Sequence, residues 1–205
     1  MQDAIKRTFD IIAAVAGLVL LAPLLSGITI AVKVASPGPV FYRGLRTGQF
    51  GRPFRMFKFR TMVVDAEQRG GTTTGAHDPR VTPLGGVLRA YKLDELPQLL
   101  NVIRGDMSLV GPRPEVAEYT DAYTADERRI LSVRPGITDW ASLKFHDLQQ
   151  AVGGDDPDGV FRREVLPEKI ALRLKYVDER SLGGDAAILA RTAAVVIGKA
   201  FRRAA

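Results

Sequence analysis

Asp94 and Glu95 stand side by side in KLDELPQLLN (92–101), at the head of an apolar helical run. Arg89 precedes them, Arg104 follows, Arg113 lies between two prolines, and Arg134 opens a second Pro-Gly loop. Arginine suits phosphate because its planar fork makes bidentate, charge-assisted hydrogen bonds. One carboxylate can attack phosphorus or hold Mg2+, while the arginines stabilise the equatorial oxygens. Neighbouring helical residues diverge by about 100°, so the two acids should divide two roles around a common metal. A helix N-terminus adds backbone N–H groups for the same anion. The plainer reading is structural. Asp caps helices well, acids in a first turn suit the helix dipole, and Pro97 is tolerated there. On these residues alone, capping and phosphoryl chemistry both stand.

The elements that would position this site begin with segment 11–32, which carries no charge. A spanning helix needs roughly 20 apolar residues, so the segment is long enough. A cleaved signal peptide fits poorly, because the run is too long and no small-x-small cleavage site follows. Lys6 and Arg7 precede the run, and Lys33, Arg43 and Arg46 follow it. Positive charge marks the cytoplasmic side of a membrane segment, and here both flanks carry it. Pro23 sits mid-run, where proline kinks or breaks a helix. The expectation is a re-entrant helix-break-helix over 1–36, with 37–205 as a cytoplasmic catalytic domain. A kinked spanning helix is the alternative. Asp10 lies three and four residues after Arg7 and Lys6, so on a helix it should meet both bases and anchor them at the interface.

Further along, SPGP (36–39) ends the second helix. Residues 40–62 alternate aromatic and basic side chains around Gly48 and Gly51, which predicts a β-hairpin. Residues 69–80 and 153–159 read as polar loops. A short helix is expected over 82–92 after a Thr82–Pro83 start, and another from Leu93 on. Residues 104–114 read as a rigid loop, 115–133 as two short helices, and 134–145 as a Pro/Gly loop with a strand-like end. Two basic helices follow over 161–180 and 184–203, either solvated or lying on anionic lipid. The fold expected is mainly α with a small β-hairpin: a re-entrant N-terminal membrane helix plus interfacial helices around a cytoplasmic active site.

The 205 residues hold no cysteine, which excludes disulfides and thiolate metal sites. His77 and His146 lack ligand spacing and read as surface or loop residues. A net charge of +6 suits nucleic acid, anionic lipid or a phosphorylated substrate. Aromatics interleaved with Arg and Lys in the hairpin could stack bases. A membrane-anchored nucleic-acid-binding module is therefore the alternative function, although a hairpin beside a membrane helix more simply lies at the membrane surface.

KRTFD (6–10), the apolar segment, SPGP, FKFRTM (57–62), DPRVTPLG (78–85), LDELPQLLNVIRGDMSLVGPRP (93–114) and RPGIT (134–138) occur in the order and spacing of bacterial sugar transferases. The chain resembles the small, catalytic-domain-only monotopic phosphoglycosyl transferases from residue 3 to about 200. The resemblance implies transfer of a sugar-1-phosphate from a UDP-sugar to undecaprenyl phosphate. The products would be a polyprenyl-diphosphate-sugar and UMP, at the cytoplasmic face of the bacterial inner membrane. It implies a ping-pong route through a phosphosugar–aspartate ester, with Asp94 as nucleophile. Glu95, with Asp94, would hold Mg2+, and Arg113 would bind the nucleotide side. Lys58 and Arg89 are candidate phosphate contacts, and Arg134 completes the candidate substrate-binding set. Lys6, Arg7, Asp10 and Pro23 would anchor and break the membrane helix, Ala22–Pro23 standing where Ser-Pro is commoner. The partners implied are the UDP-sugar, undecaprenyl phosphate and membrane lipids, not nucleic acid, with room for a homodimer.

The chain departs from this pattern in two places. Asp139 stands where many members have Gly, and a Gln-Val-Asn-Gly stretch found after the Trp in one subgroup is missing. Lys92 replaces a commoner small polar residue, and its charge so close to Asp94 is expected to favour the ionised nucleophile.

Overall fold

A computed structural model describes residues 2–70, 73–75, 78–153 and 156–204, with side chains to 199. His77 and parts of the 69–80 and 153–159 loops lie outside the described residues. The chain is mainly helical, with one small antiparallel strand pair.

Helices α1 (Gln2–Leu20) and α2 (Ala22–Ala35) meet at 64°. The backbone bonds Leu21 N–H to Gly17 O (2.9 Å) and Leu25 N–H to Leu21 O (2.8 Å) continue through the bend. Pro23, in the first turn of α2, has no N–H to give the preceding turn, which is where the axis breaks. Among the described residues no single helix is long and apolar enough to cross a membrane, while the bent pair passes that test together. One side of α1 is buried at Asp10 and Ala14, and the other exposes Ile5, Phe9, Ile12, Val19 and Leu20. Ile30 and Val34 extend the exposed apolar surface onto α2.

The predicted hairpin forms from β1 (Phe41–Thr47) and β2 (Pro53–Phe59), in register from Phe41↔Phe59 to Thr47↔Pro53. Its tip needs left-handed backbone at Phe50 (φ 57°) and Gly51 (φ 75°). Its inward residues Phe54 and Met56 join Ala14, Val102 and Met107 in one core cluster. Phe59 packs with Ile28, Val32 and Leu88 in a second. The hairpin therefore cements both N-terminal helices to the body. Arg60, which sequence reasoning passed over, finishes α2 by donating to the Ser36 and Pro37 carbonyls at 2.8 Å each.

Helix α3 (Pro83–Ala90) starts as expected, with the Thr82 hydroxyl accepting from Gly85 N–H at 3.0 Å. Helix α4 does not start at Leu93. Leu93–Glu95 is a separate 3-10 turn, and α4 (Gln98–Arg104) begins after Pro97. The cause is Lys92, held left-handed at φ 59°, which redirects the chain just before the acids. The 104–114 loop contains a strand, β3 (Ser108–Val110), and α5 (Ala117–Thr120) follows it. A 3-10 segment, Glu127–Ser132, leads to β4 (Gly136–Thr138), parallel to β3. The strands approach closely because Gly111 faces Gly136; a Cβ on Gly136 would overlap the Gly111 backbone. The expected strand-like end of 134–145 is instead helix α6 (Trp140–Lys144), because Asp139 caps it by accepting from Ser142 N–H at 2.6 Å. Short helices α7 (Leu148–Val152) and α8 (Pro157–Val160) and a π-helical turn, Phe161–Val165, follow. The two predicted basic helices are α9 (Leu166–Glu179) and α10 (Leu182–Ala204).

Candidate active site

Asp94 and Glu95 sit on the 3-10 turn between α3 and α4, and they differ sharply. Asp94 is 5 % exposed, and its Oδ1 has no hydrogen-bond partner. It caps no helix: Pro97 occupies the cap position of α4, and no side chain accepts there. The capping reading of this dyad therefore fails. Burial pushes the Asp94 carboxyl above its usual range, and the charge of Glu95 pushes the same way. Lys58, Arg89 and Lys92 oppose this without reversing it, so the expected effect of Lys92 is present but outweighed.

Glu95 is paired through one oxygen. Its Oε1 accepts from Lys58 Nζ at 3.0 Å and from Arg113 Nη2 at 2.5 Å. Burial pushes the Glu95 carboxyl up, but Arg113 and Lys58 outweigh that and hold it far below the carboxylate range. Lys58 projects from β2, whose position is locked by Asn101 of α4. The Asn101 side chain accepts from Phe57 N–H and donates to Arg55 O, both at 2.9 Å. Burial lowers the Lys58 ammonium, and Glu95 offsets part of that. Arg89, near the end of α3, donates to Thr61 Oγ1 at 3.3 Å and lies within the field of both acids.

The fold thus gathers Asp94, Glu95, Lys58, Arg89 and Arg113 from four separate stretches of chain. It does not bring Arg134 to them. Arg134 Nε donates to Gly105 O at 3.2 Å, at the far end of α4. Arg7 lies there too, giving Nη1 to Val102 O (2.7 Å) and Nη2 to Ile103 O (3.1 Å). A cation at a helix C-terminus meets free carbonyls and the negative dipole end. Arg104 stacks on Phe57, 4.7 Å from its ring centroid. Asp10 is likewise inside the body rather than at a surface. It accepts from Ser108 Oγ at 2.7 Å and Leu109 N–H at 3.3 Å, with Lys6 at 3.7 Å. Lys6 makes its closer contact, 2.7 Å, to Asp185 of α10.

Two features escaped sequence reasoning. Gln98 is fully buried, one helical turn beyond Asp94, and neither amide atom has a partner. Its spacing from Asp94 was the available signal. A buried ionic network also joins Glu115, Lys169 and Arg173; Lys169 and Arg173 reach Glu115 Oε1 at 3.1 and 2.8 Å. Burial alone would raise the Glu115 carboxyl, but those two cations hold it at about 2. Nothing in residue spacing links positions so distant.

Mg2+ takes hard oxygen ligands, commonly one or two carboxylates completed by substrate phosphates and water. The unpaired Asp94 Oδ1 is such a donor, whereas Glu95 Oε1 is committed to two cations. No group of three or more metal-binding side chains occurs among the described residues. The donor set fits a Mg2+ that arrives with phosphate, not one caged by protein alone. The hairpin rings bear on the nucleic-acid alternative: Phe54, Phe57 and Phe59 are buried, leaving Tyr42 and Phe50 exposed.

Comparison with known proteins identifies a family for the chain. The model of the family described as bacterial sugar transferase matches residues 1–199. A UDP-N-acetylgalactosamine-undecaprenyl-phosphate N-acetylgalactosaminephosphotransferase of Aeromonas hydrophila is 44% identical over 144 residues, 68% of this chain and 34% of that protein. A UDP-glucose:undecaprenyl-phosphate glucose-1-phosphate transferase of Caulobacter vibrioides is 39% identical over 193 residues, 93% of this chain and 68% of that protein. The Escherichia coli protein of the same description is 42% identical over 192 residues, 90% of this chain and 38% of that protein. The chain thus spans only 34% and 38% of the length of two of these relatives. With the family model matching residues 1–199, the chain belongs to the bacterial sugar transferase family.

Proposed function

We propose that the chain transfers sugar-1-phosphate from a UDP-sugar to undecaprenyl phosphate in two displacements. The observation that carries this reading is the buried, unpaired Asp94 carboxylate oxygen beside a Glu95 already neutralised by Lys58 and Arg113. In the first displacement an Asp94 oxygen attacks the phosphorus that bears the sugar. The phosphoanhydride bond breaks, UMP leaves with the bond's electron pair, and a phosphosugar ester remains on Asp94. In the second, an oxygen of the lipid phosphate attacks the same phosphorus. The ester bond breaks, regenerating the carboxylate and yielding the polyprenyl-diphosphate-sugar. Mg2+, when bound, neutralises diphosphate charge and stabilises the departing phosphate. Arg113 and Lys58 orient the nucleotide phosphates, and Glu95 holds those two cations in place. Arg89 lies close enough to share the anion's charge. The relatives named for UDP-glucose and UDP-N-acetylgalactosamine support a UDP-sugar donor and undecaprenyl phosphate acceptor.

The bent α1–α2 pair is read as a re-entrant membrane segment at the cytoplasmic face of the bacterial inner membrane. Its supports are the 64° break, the exposed apolar residues of both helices and the basic flanks. An engineered cysteine at Gln2 is expected to react with a membrane-impermeant thiol reagent only from the cytoplasmic side. Labelling from the periplasm alone rules out the hairpin.

A screen of UDP-sugars with undecaprenyl phosphate and Mg2+, reading UMP, tests the reaction. UMP release is expected with at least one UDP-hexose and only when Mg2+ is present. Release of the free sugar in place of UMP would sink the reading.

A further inference from the structure

We propose that Asp139 is a positioning residue for this transfer, fixing Arg113 where it meets Glu95 and the nucleotide phosphates. The proposal rests on the transfer reaction above and adds a residue that does not touch the substrate.

Arg113 lies between Pro112 and Pro114, neither of which has a backbone N–H. The Arg113 N–H is therefore the one backbone donor of that tripeptide, and it gives its hydrogen bond to Asp139 Oδ2 at 3.0 Å. The other end of the residue is held from the same short segment, through Arg113 Nη1 to Ile137 O at 2.7 Å. Nη2 is then left to meet Glu95 at 2.5 Å. Residues 137–139 thus set both the backbone and the guanidinium plane of Arg113.

Asp139 is itself over-determined. It is 1 % exposed, and its Oδ1 accepts from Ser142 N–H at 2.6 Å. Its Oδ2 also faces Arg173 Nε at 3.5 Å, and Arg173 is wholly buried on α9. Arg173 continues to Glu115 at 2.8 Å, and Glu115 to Lys169 at 3.1 Å. A buried carboxylate is costly unless paired and hydrogen-bonded. Here the pairing runs from α9 through Asp139 to the backbone beside the active arginine. A capping aspartate needs only the Ser142 contact. The second oxygen, aimed at Arg113 and Arg173, is what a cap does not explain.

The test uses the full chain in detergent, with a UDP-sugar that the wild type turns over. Asp139→Ser keeps a side-chain cap for α6 but cannot reach Arg113 N–H. It is expected to raise KM for the UDP-sugar about tenfold, with kcat within about threefold and KM for undecaprenyl phosphate unchanged. UMP affinity by calorimetry should weaken in parallel. Asp139→Asn keeps one acceptor oxygen, enough for Arg113 N–H or Ser142 N–H but not both, and should give a KM between those of the wild type and Asp139→Ser. If Asp139→Ser does not fold, Arg173→Lys keeps a cation for Glu115, loses the Nε contact, and should raise KM about threefold. A purely structural role would lower the melting temperature and the active fraction while leaving KM unmoved, and that result overturns the proposal. A wild type that releases no UMP from any UDP-sugar overturns the transfer reading and this proposal with it. Wild-type turnover with unchanged KM in the variants overturns this proposal alone.

Discussion

Asp94→Asn is expected to remove turnover by at least about a thousandfold without destabilising the fold. The side chain is nearly isosteric, so packing is kept and only the nucleophile is lost. No phosphosugar adduct should appear on the variant by intact-mass spectrometry, whereas the wild type given UDP-sugar without lipid acceptor should carry one. The stability half of the prediction comes from burial. The Asp94 carboxyl is raised in the folded chain, first by burial and then by Glu95. A carboxyl raised on folding contributes stability that is complete below its unfolded value, about 4, and is lost as pH rises through its folded value. Above its unfolded value the raised Asp94 carboxyl therefore weighs on the fold, and asparagine removes that cost. The melting temperature of the variant at pH 7.5 should equal or exceed that of the wild type. A clear fall would mean that Asp94 is a structural residue, and a retained adduct would mean that another group attacks.

How much of this was legible beforehand depended on the range of the interaction. The hairpin was readable because strand alternation and its Gly48 and Gly51 turn are written within a few residues. The α1–α2 break was readable because proline acts on its own turn. The start of α4 was not, because a left-handed Lys92 has no mark in a sequence that otherwise reads as a good helix start. Asp139 was noticed only as a departure from the family pattern, and its capping of α6 turned an expected strand into a helix. Strands β3 and β4 pair across a gap of more than twenty residues through Gly111 and Gly136, and neither is long enough to carry its own periodicity.

The site divides the same way. Asp94, Glu95 and Arg113 were visible as chemistry because their types and a specific motif pointed there. Which acid is paired and which is free could not be read, since that depends on Lys58 arriving from β2 and Arg113 from the loop after β3. Arg134 and Arg113 looked equivalent as arginines in Pro-containing loops. The fold uses the first to close the end of α4 and the second to meet Glu95. Lys6, Arg7 and Asp10 were expected to meet one another at a membrane interface. Lys6 does meet Asp10 at 3.7 Å, while Arg7 and Asp10 also reach across to α4 and β3, so the bent N-terminal helices and the candidate site share one framework.

Glu95 is the shared counter-charge of Lys58 and Arg113, so its removal has the second large expected effect. Glu95→Gln is expected to destabilise the fold by about 1–3 kcal/mol, because it leaves the half-buried Lys58 and Arg113 close together and without their counter-charge. The pH response separates this cause from a simple packing loss. In the wild type the Glu95 carboxyl is depressed on folding, so its stabilisation is present above the unfolded value, about 4.3, and falls away as pH drops below it. Glu115, held at about 2, adds to the same acid limb. The variant should lose the Glu95 share of that limb and gain a new slope at alkaline pH. Lys58 is already lowered by burial, and without Glu95 it is lowered further. A base depressed on folding makes stability rise with pH as the folded form releases its proton first. Between pH 7 and 9.5 the melting temperature of Glu95→Gln should therefore climb more steeply than that of the wild type. Adding Lys58→Met should recover much of the lost stability and abolish that extra climb, since it removes one uncompensated charge and fills the space with methylenes. Arginine does not deprotonate in this range, and Lys169, also lowered by burial, is the same in both proteins, so Lys58 accounts for the difference in slope. A variant that is weaker by the same amount at every pH would show that Glu95 serves packing, and that the two cations are not held by its charge.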